Sequence, residues 1–434
     1  MKNKIKILFK SNYFSPSNLL IYITIIYMTI FFALFFAGKI SERCIADECG
    51  YIQFAINLIN GFYSPPAPNI NLWWGPGYPT FLVPFIALGL NRIAIVFINV
   101  LISLLIIILL YKTSRQYLST RYSKIVTSIW CLYYPNFQNS FSALSEPLAT
   151  FLIIFFIYNF VKYFFTKNRL YSMLAGLSLG ILVLTKVIFS YVILFLIVLL
   201  IPFYFSQSLR GITARIGAMI VVAFLVTIPY QLYTFSLTGK LYYFSNAGGH
   251  QLYFMTSPHP GEFGEWNNLL FTANCNIDPV IPCNSDKFIK NHGEIIGYAL
   301  KLNSIERDNY LKKVALENIR NFPVKYLKNY INNFSRMLFN VPHSYFYQRE
   351  RTIIRFLSGS FMLTFIIFSL FYSIINFKKL SFSILLIAAF ILIYIGVQLL
   401  VSAYPRQFDI IVPALLVWFG VVYRTWIFSI KSQH

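Results

Sequence analysis

Apolar runs of about 20 residues, the length a helix needs to cross roughly 30 Å of hydrocarbon, recur along almost the whole chain, broken by one polar interval from Phe235 to Arg351. A chain patterned this way cannot hide its apolar surface in one soluble core. With 57% hydrophobic and 12% charged residues over 434 positions, its solvent is a bilayer. Short alternating segments, the mark of a β-barrel, are missing from the pattern, so the expected fold is an all-α polytopic membrane protein.

Ten spans are expected, near residues 18–38, 92–111, 124–137, 147–165, 171–186, 188–206, 215–234, 353–375, 380–400 and 408–424. Gly77 to Leu90 is also apolar, but Pro79 and Pro84 interrupt it and it is short, so it reads as re-entrant or interfacial. Lys2, Lys4, Lys6 and Lys10 precede an apolar stretch, Asn18 to Gly38, that is too long for a signal-peptide core and has no small-residue cleavage pattern after it. It reads as an uncleaved first helix. The organisation expected is an N-terminal transmembrane module (1–234), an extracytoplasmic domain (235–351) that is loop first and helical from about Glu294 to Leu338, and C-terminal transmembrane helices (352–434).

The net charge of +22 does not point to nucleic acid, because the basic residues sit in short clusters between apolar runs. With the N-terminus inside, Lys112, Arg115, Arg121 and Lys124, then Lys162, Lys167 and Arg169, then Arg210 and Arg215, then Lys378 and Lys379 all fall on the cytoplasmic side. That is the positive-inside rule. The same orientation puts the acidic residues outside, together with Cys44, Cys49, Cys275 and Cys283, where disulfides persist. Four cysteines allow three pairings; the local pairs Cys44–Cys49 and Cys275–Cys283, which close short loops, are preferred over unpaired thiols. Cys131 reads as a packing residue within a span.

Polar residues able to do chemistry collect on this outer side. In the first outer loop (39–76), Tyr51, Phe54, Ala55, Leu58 and Ile59 share one face of a helix that can lie along the membrane surface, with Asp47 and Glu48 at its start. An N-cap role is the plain alternative for these carboxylates. Glu146 opens the fourth span, Lys186 interrupts an apolar stretch where the fifth ends, and Arg406 lies between the last two. Capping or snorkelling would explain each one singly; together, two carboxylates and two cations at one membrane level form a candidate site. The set suits a sugar donor with a phosphate leaving group on a membrane lipid. Cations would hold the phosphate and a carboxylate would deprotonate the attacking acceptor.

These motifs resemble the GT-C class of polyprenyl-phosphate-sugar-dependent glycosyltransferases, particularly glycosyltransferase family 39, with its protein O-mannosyltransferases and aminoarabinose transferases. The resemblance rests on Asp47-Glu48 followed by Tyr51, Ala55, Leu58 and Gly61; on Pro76-Gly77-Tyr78-Pro79; on Ser145-Glu146-Pro147-Leu148; and on Gly176, Gly180 and Leu184-Thr185-Lys186. It continues through Pro229-Tyr230, Gly239 and Ser245-Asn246-Ala247-Gly248-Gly249 to Arg406, Phe408 and Pro413. It implies a GT-C bundle of about ten helices in a bacterial inner membrane, with its active site on the periplasmic or extracellular side. The implied activity is inverting transfer of a hexosyl or pentosyl group from a polyprenyl phosphate to a glycan, lipid or protein.

By this resemblance Asp47 takes the catalytic-base position, with Glu48 and Glu146 as further acidic residues. Lys186, Arg406 and Lys240 meet the donor phosphate, and Tyr51, Tyr78, Asn246, Gly248, Gly249 and His250 line the substrate loop. Two departures stand out: Gln231-Leu232 replaces an Arg-Asn pair, and Phe408 stands where Tyr is common. No cofactor is expected. A divalent metal is neither required nor excluded, since no Asp-x-Asp occurs in the first loop and His250, His259, His292 and His343 have no ligand-like spacing. A polymerase or ligase using a diphosphate-linked donor, and a lipid-linked sugar flippase, are the alternatives.

Overall fold

The computed structural model of the chain describes residues 16–207, 210–269, 285–345 and 351–431. Its described residues are mostly helical, with no β-strand among them. Among the described residues, six helices are long and apolar enough to cross a membrane: Arg92–Ser114 (α4), Glu146–Thr166 (α7), Ile188–Phe205 (α9), Arg210–Thr238 (α10), Arg351–Ile375 (α15) and Val412–Lys431 (α18). Further apolar helices accompany them: Pro16–Phe36 (α1), Gly77–Ala87 (α3), Arg169–Thr185 (α8) and Phe382–Gln398 (α16).

The expected span at 124–137 is corrected. Thr120–Leu132 (α5) stops at Tyr133 and a separate short helix, Tyr134–Ser140 (α6), follows. Pro135 lacks the N–H that a continuing helix needs, and the break falls at Tyr133, which is extended with ψ 100°. The last expected span is likewise divided, since Pro405–Asp409 (α17) precedes α18 as a turn of its own.

Helix α7 and helix α8 form an antiparallel hairpin. Lys167 closes α7 in the left-handed conformation, and the Asn168 side chain caps α8 by accepting from Leu170 N at 2.9 Å. Twenty-one residues out and 17 back return the chain to the level where it started, so Glu146 at the start of α7 and Lys186 just past the end of α8 meet. Helix α8 also lies tightly on α10. A Cβ on Gly176 would stand 2.6 Å from Met219 O, and one on Gly180 would stand 2.7 Å from Ala223 O. Only glycine permits that approach, as in other small-residue membrane interfaces.

Pro323–Phe339 (α14) packs on the bundle through Met337 and Leu338, while Gly248–Met255 (α11), Ser285–Ala299 (α12) and Ser304–Asn321 (α13) build a smaller helical unit. Its own core joins Tyr253, Phe254, Phe288, Ile296, Leu311 and Tyr345. Helical structure thus begins earlier than Glu294 and is broken before Ser304, where Asn303 caps α13, and again at Pro323.

Candidate active site

Asp47 and Glu48 open the amphipathic helix Asp47–Ile59 (α2). The residue before them, Ala46, has φ 50° and ψ −121°, a conformation costly for a residue with a Cβ. A Cys44–Cys49 disulfide, with Cα atoms 5.1 Å apart, spans this turn; Cys275 and Cys283 lie outside the described residues. Adjacent in sequence, the two carboxylates have opposite surroundings.

Glu48 is buried and fully engaged. Its Oε2 and Oε1 accept from Arg92 Nε at 2.6 Å and Nη2 at 2.9 Å, and backbone N–H groups of Ala143 (2.8 Å) and Ile45 (3.2 Å) complete the shell. Every acceptor direction is taken by a group that ties the first loop to α4 and to the loop before α7. Arg92 also donates to Ser41 O at 2.8 Å.

Asp47 remains partly exposed. Its Oδ2 accepts from Arg406 Nη2 at 2.6 Å, and Arg406 Nε lies 3.7 Å from Glu146 Oε1. Lys186 Nζ donates to the same Glu146 oxygen at 2.8 Å. The four residues singled out from the sequence thus form one continuous cluster, in the order Asp47, Arg406, Glu146, Lys186. Glu146 is buried, and its other oxygen, Oε2, has no hydrogen-bond partner. Burial opposes the charge on Arg406, but Glu146 and then Asp47 more than offset it and raise its pKa.

Each member is positioned by packing. The Pro76-Gly77 turn presses on the end of α8: a Cβ on Gly77 would stand 2.4 Å from Thr185 Oγ1, and one on Gly75 would stand 2.2 Å from Leu184 O. Lys186, the next residue, leaves the helix in an extended conformation. Arg406 is held on α17 from both ends. Asn333 Oδ1 accepts from Ala403 N at 2.8 Å and Arg336 Nε donates to Ala403 O at 3.1 Å, while Asp409 at the other end accepts from Arg355 at 2.8 Å and from Tyr133 OH at 2.7 Å.

Tyr51 and Tyr78 lie beneath the cluster, ring centroids 5.0 Å apart and edge to face. Tyr51 OH accepts from Ser145 Oγ at 3.0 Å, and burial, with Glu146 and Asp47 nearby, raises its pKa. Asn99 donates to Tyr78 OH at 3.2 Å.

The remaining expected residues gather around α11 and α13. Lys240 donates to Asn309 and sits over the Tyr243 ring at 4.7 Å, so it is engaged with α13 instead of joining the cluster. Gly249 N donates to Asp308 Oδ1 at 2.6 Å, and Asn246 N donates to Leu72 O at 3.2 Å. Gly248 is exposed at the start of α11. His250 is buried between Trp73 and Trp266, with Nε2 2.7 Å from Asn267 O, and burial pushes its pKa down to about 4. Among the described residues no group of three or more His, Cys, Asp or Glu side chains gathers as a metal site.

Sequence reasoning missed Arg92, Arg336 and Asp409. Arg92 reads as an ordinary charged span start. Asn329, Asn333 and Arg336, by contrast, recur every three or four residues on one helix, a polar stripe that the spacing does carry and that proves to be buried.

Compared with solved structures, the chain resembles the oligosaccharyltransferase of Archaeoglobus fulgidus in its apo form, at 14% identity and a TM-score of 0.52 over 97% of this chain and 52% of that one. A second match is the Archaeoglobus fulgidus oligosaccharyltransferase AglB with an inhibitory peptide and a dolichol-phosphate (13% identity, TM-score 0.47, 96% and 51% covered). A third is ArnT from Cupriavidus metallidurans bound to undecaprenyl phosphate (13% identity, TM-score 0.42, 95% and 78% covered). The chain spans about half the length, 52%, of the first of these proteins. No family model matches the sequence, and a comparison with curated protein sequences finds no match. The likeness establishes architecture: the chain has a GT-C-class fold.

Proposed function

We propose that this GT-C-fold chain is a membrane glycosyltransferase that moves a sugar from a polyprenyl-phosphate donor to a glycan, lipid or protein acceptor on the outer face of a bacterial inner membrane. The observation that carries the reading is the guanidinium of Arg406 set between Asp47 and Glu146, with Lys186 on the far side of Glu146. Two cations and two carboxylates at the outer helix ends form a site that can exchange ion-pair partners.

The chemistry follows from that exchange. A donor phosphate arriving at Arg406 and Lys186 competes with the carboxylates for both cations. As Arg406 turns to the phosphate, Asp47 is released. Asp47 then takes the proton from the acceptor O–H or N–H, the acceptor atom bonds to the anomeric carbon, and the bond from that carbon to the phosphate oxygen breaks. The electron pair leaves with the polyprenyl phosphate, whose charge the two cations stabilise. Attack opposite the leaving group inverts the anomeric configuration. Glu146 keeps both cations close when no donor is bound; it is a positioning residue.

A diphosphate-linked, oligosaccharide-bearing donor is the second reading, supported by the likeness to a protein described as an oligosaccharyltransferase. Supplying purified protein with the same sugar on polyprenyl phosphate and on polyprenyl diphosphate tests the choice. Product of inverted configuration from the monophosphate alone is expected. Turnover of only the diphosphate would replace this reading with the second, and turnover of neither, with lipid-linked sugar crossing proteoliposomes, would favour a flippase.

A further inference from the structure

Beside the ion cluster lies a cleft of ≈ 610 Å³ between the first outer loop and the outer domain, with Asn71, Trp73, Trp74, Asn246, His250 and Lys301 among its lining residues. Two of these carry buried polar atoms without a partner, Asn246 Oδ1 and His250 Nδ1. The His250 Nε2 contact to the Asn267 carbonyl requires a proton on Nε2, and burial keeps the ring neutral, so Nδ1 is an acceptor. Asn246 Oδ1 is an acceptor too. Buried acceptors left unmet cost stability unless a donor arrives; both side chains belong to the wall of one cleft, but the two atoms are closed to solvent, so a donor reaches them only as these side chains shift.

The rest of the wall fits a particular kind of donor. Trp73 is only partly buried and offers an apolar ring; Arg307 in the same wall donates to Ala299 O and Leu302 O, and the Asp308 carboxylate accepts from Gly249 N and Tyr243 OH, while Lys301, exposed at the rim, brings positive charge. Trp74 links the cleft to the ion cluster: its ring lies 5.6 Å from that of Tyr51, which accepts from Ser145 next to Glu146. The two walls are joined by Ser245 Oγ donating to Trp73 O at 2.9 Å. A ring with hydroxyl donors on its edges, apolar C–H faces and an acidic substituent satisfies all three features at once.

We infer that the cleft binds a saccharide chain bearing an acidic group, and, resting on the glycosyltransferase reading, that this chain is the acceptor. A sugar ring stacks on Trp73, its hydroxyls donate to Asn246 and His250, and the acid pairs with Lys301. The test is calorimetric titration of the full-length protein in lipid nanodiscs with a galacturonate tetramer, its neutral galactose counterpart and a short acidic peptide. The assay contains no donor lipid, so failure of transfer and failure of this site are read separately. Saturable binding below about 10 mM is expected, tighter for the acidic sugar than for the neutral one. Trp73→Ala weakens both sugars about tenfold or more, and Lys301→Ala removes only the acidic preference. No saturable sugar binding, sugar binding unchanged in both variants, or preference for the peptide overturns the inference.

Discussion

Asp47 Oδ2 and Arg406 Nη2 stand 2.6 Å apart although 359 residues separate them, and that pair couples the first outer loop to the turn between the last two spans. Arg406 does this while its Nε lies 3.7 Å from Glu146. A planar guanidinium can face two carboxylates along different edges; a lysine ammonium on a flexible stem acts as a point charge. Arg406→Lys is therefore expected to lower kcat/KM by about 100-fold or more despite keeping the charge. Near-normal kcat/KM in that variant, measured by sugar transfer from polyprenyl phosphate, would show that charge alone suffices there.

Glu48 and Arg92 are expected to matter for folding. Removing one partner of a buried pair leaves the other charge unpaired, at about 3–5 kcal/mol. Glu48→Ala should destabilise the protein by about that amount, and Glu48→Met with Arg92→Met should recover part of the loss. Denaturation in detergent micelles reads both. A single variant as stable as the parent would mean that the pair does not secure the loop.

How much of this was legible in the sequence differs residue by residue. Hydropathy exposes most of the helices because a bilayer demands long apolar runs. Asp47, Glu146, Lys186 and Arg406 stand out because each is a charge at the edge of such a run. Nothing local, in contrast, tells Asp47 from Glu48. What separates them is Arg92, 44 residues away from Glu48, and that pairing is a product of tertiary packing. The break at Tyr133 was obscured for a related reason: Trp130, Cys131, Leu132 and Tyr133 continue the apolar run into Pro135, so hydropathy carries through a point where backbone geometry does not.

The turn holding Asp47 depends on the Cys44–Cys49 bridge. Replacing both cysteines with serine releases Ala46 from its costly conformation and widens the range of positions open to Asp47. The expected result is a fall of about tenfold in kcat with little change in melting temperature, since a misplaced reacting group costs rate more readily than fold. Unchanged kcat would show that the bridge does not position Asp47.

Acid should loosen the outer domain. The His250 pKa falls from 6.5 to about 4 on folding, so between those values the unfolded chain binds the proton and the folded chain does not. Stability therefore drops as pH falls through that window, by up to about 3 kcal/mol. Glu262, although burial raises its pKa, is brought down to about 2 by His292, Ser257 and Tyr345. Its contribution is present above 4.5 and is lost as pH falls from there towards about 2. Thermal unfolding followed by tryptophan fluorescence should show the first drop between pH 6.5 and 4, and His250→Gln should make it shallower, the remainder belonging to His259 and His343, which burial also shifts down. An equally steep pH dependence in that variant would assign the effect to other groups.

In the proposed reaction Asp47 accepts the acceptor's proton while the cations hold the departing phosphate. The most direct measurement is sugar transfer from labelled polyprenyl-phosphate sugar by purified Asp47→Asn protein, beside the parent protein at equal folded amount. A kcat reduced by at least about 100-fold is expected, with donor binding retained and the melting temperature unchanged. Transfer at the parent rate by folded Asp47→Asn protein would contradict it.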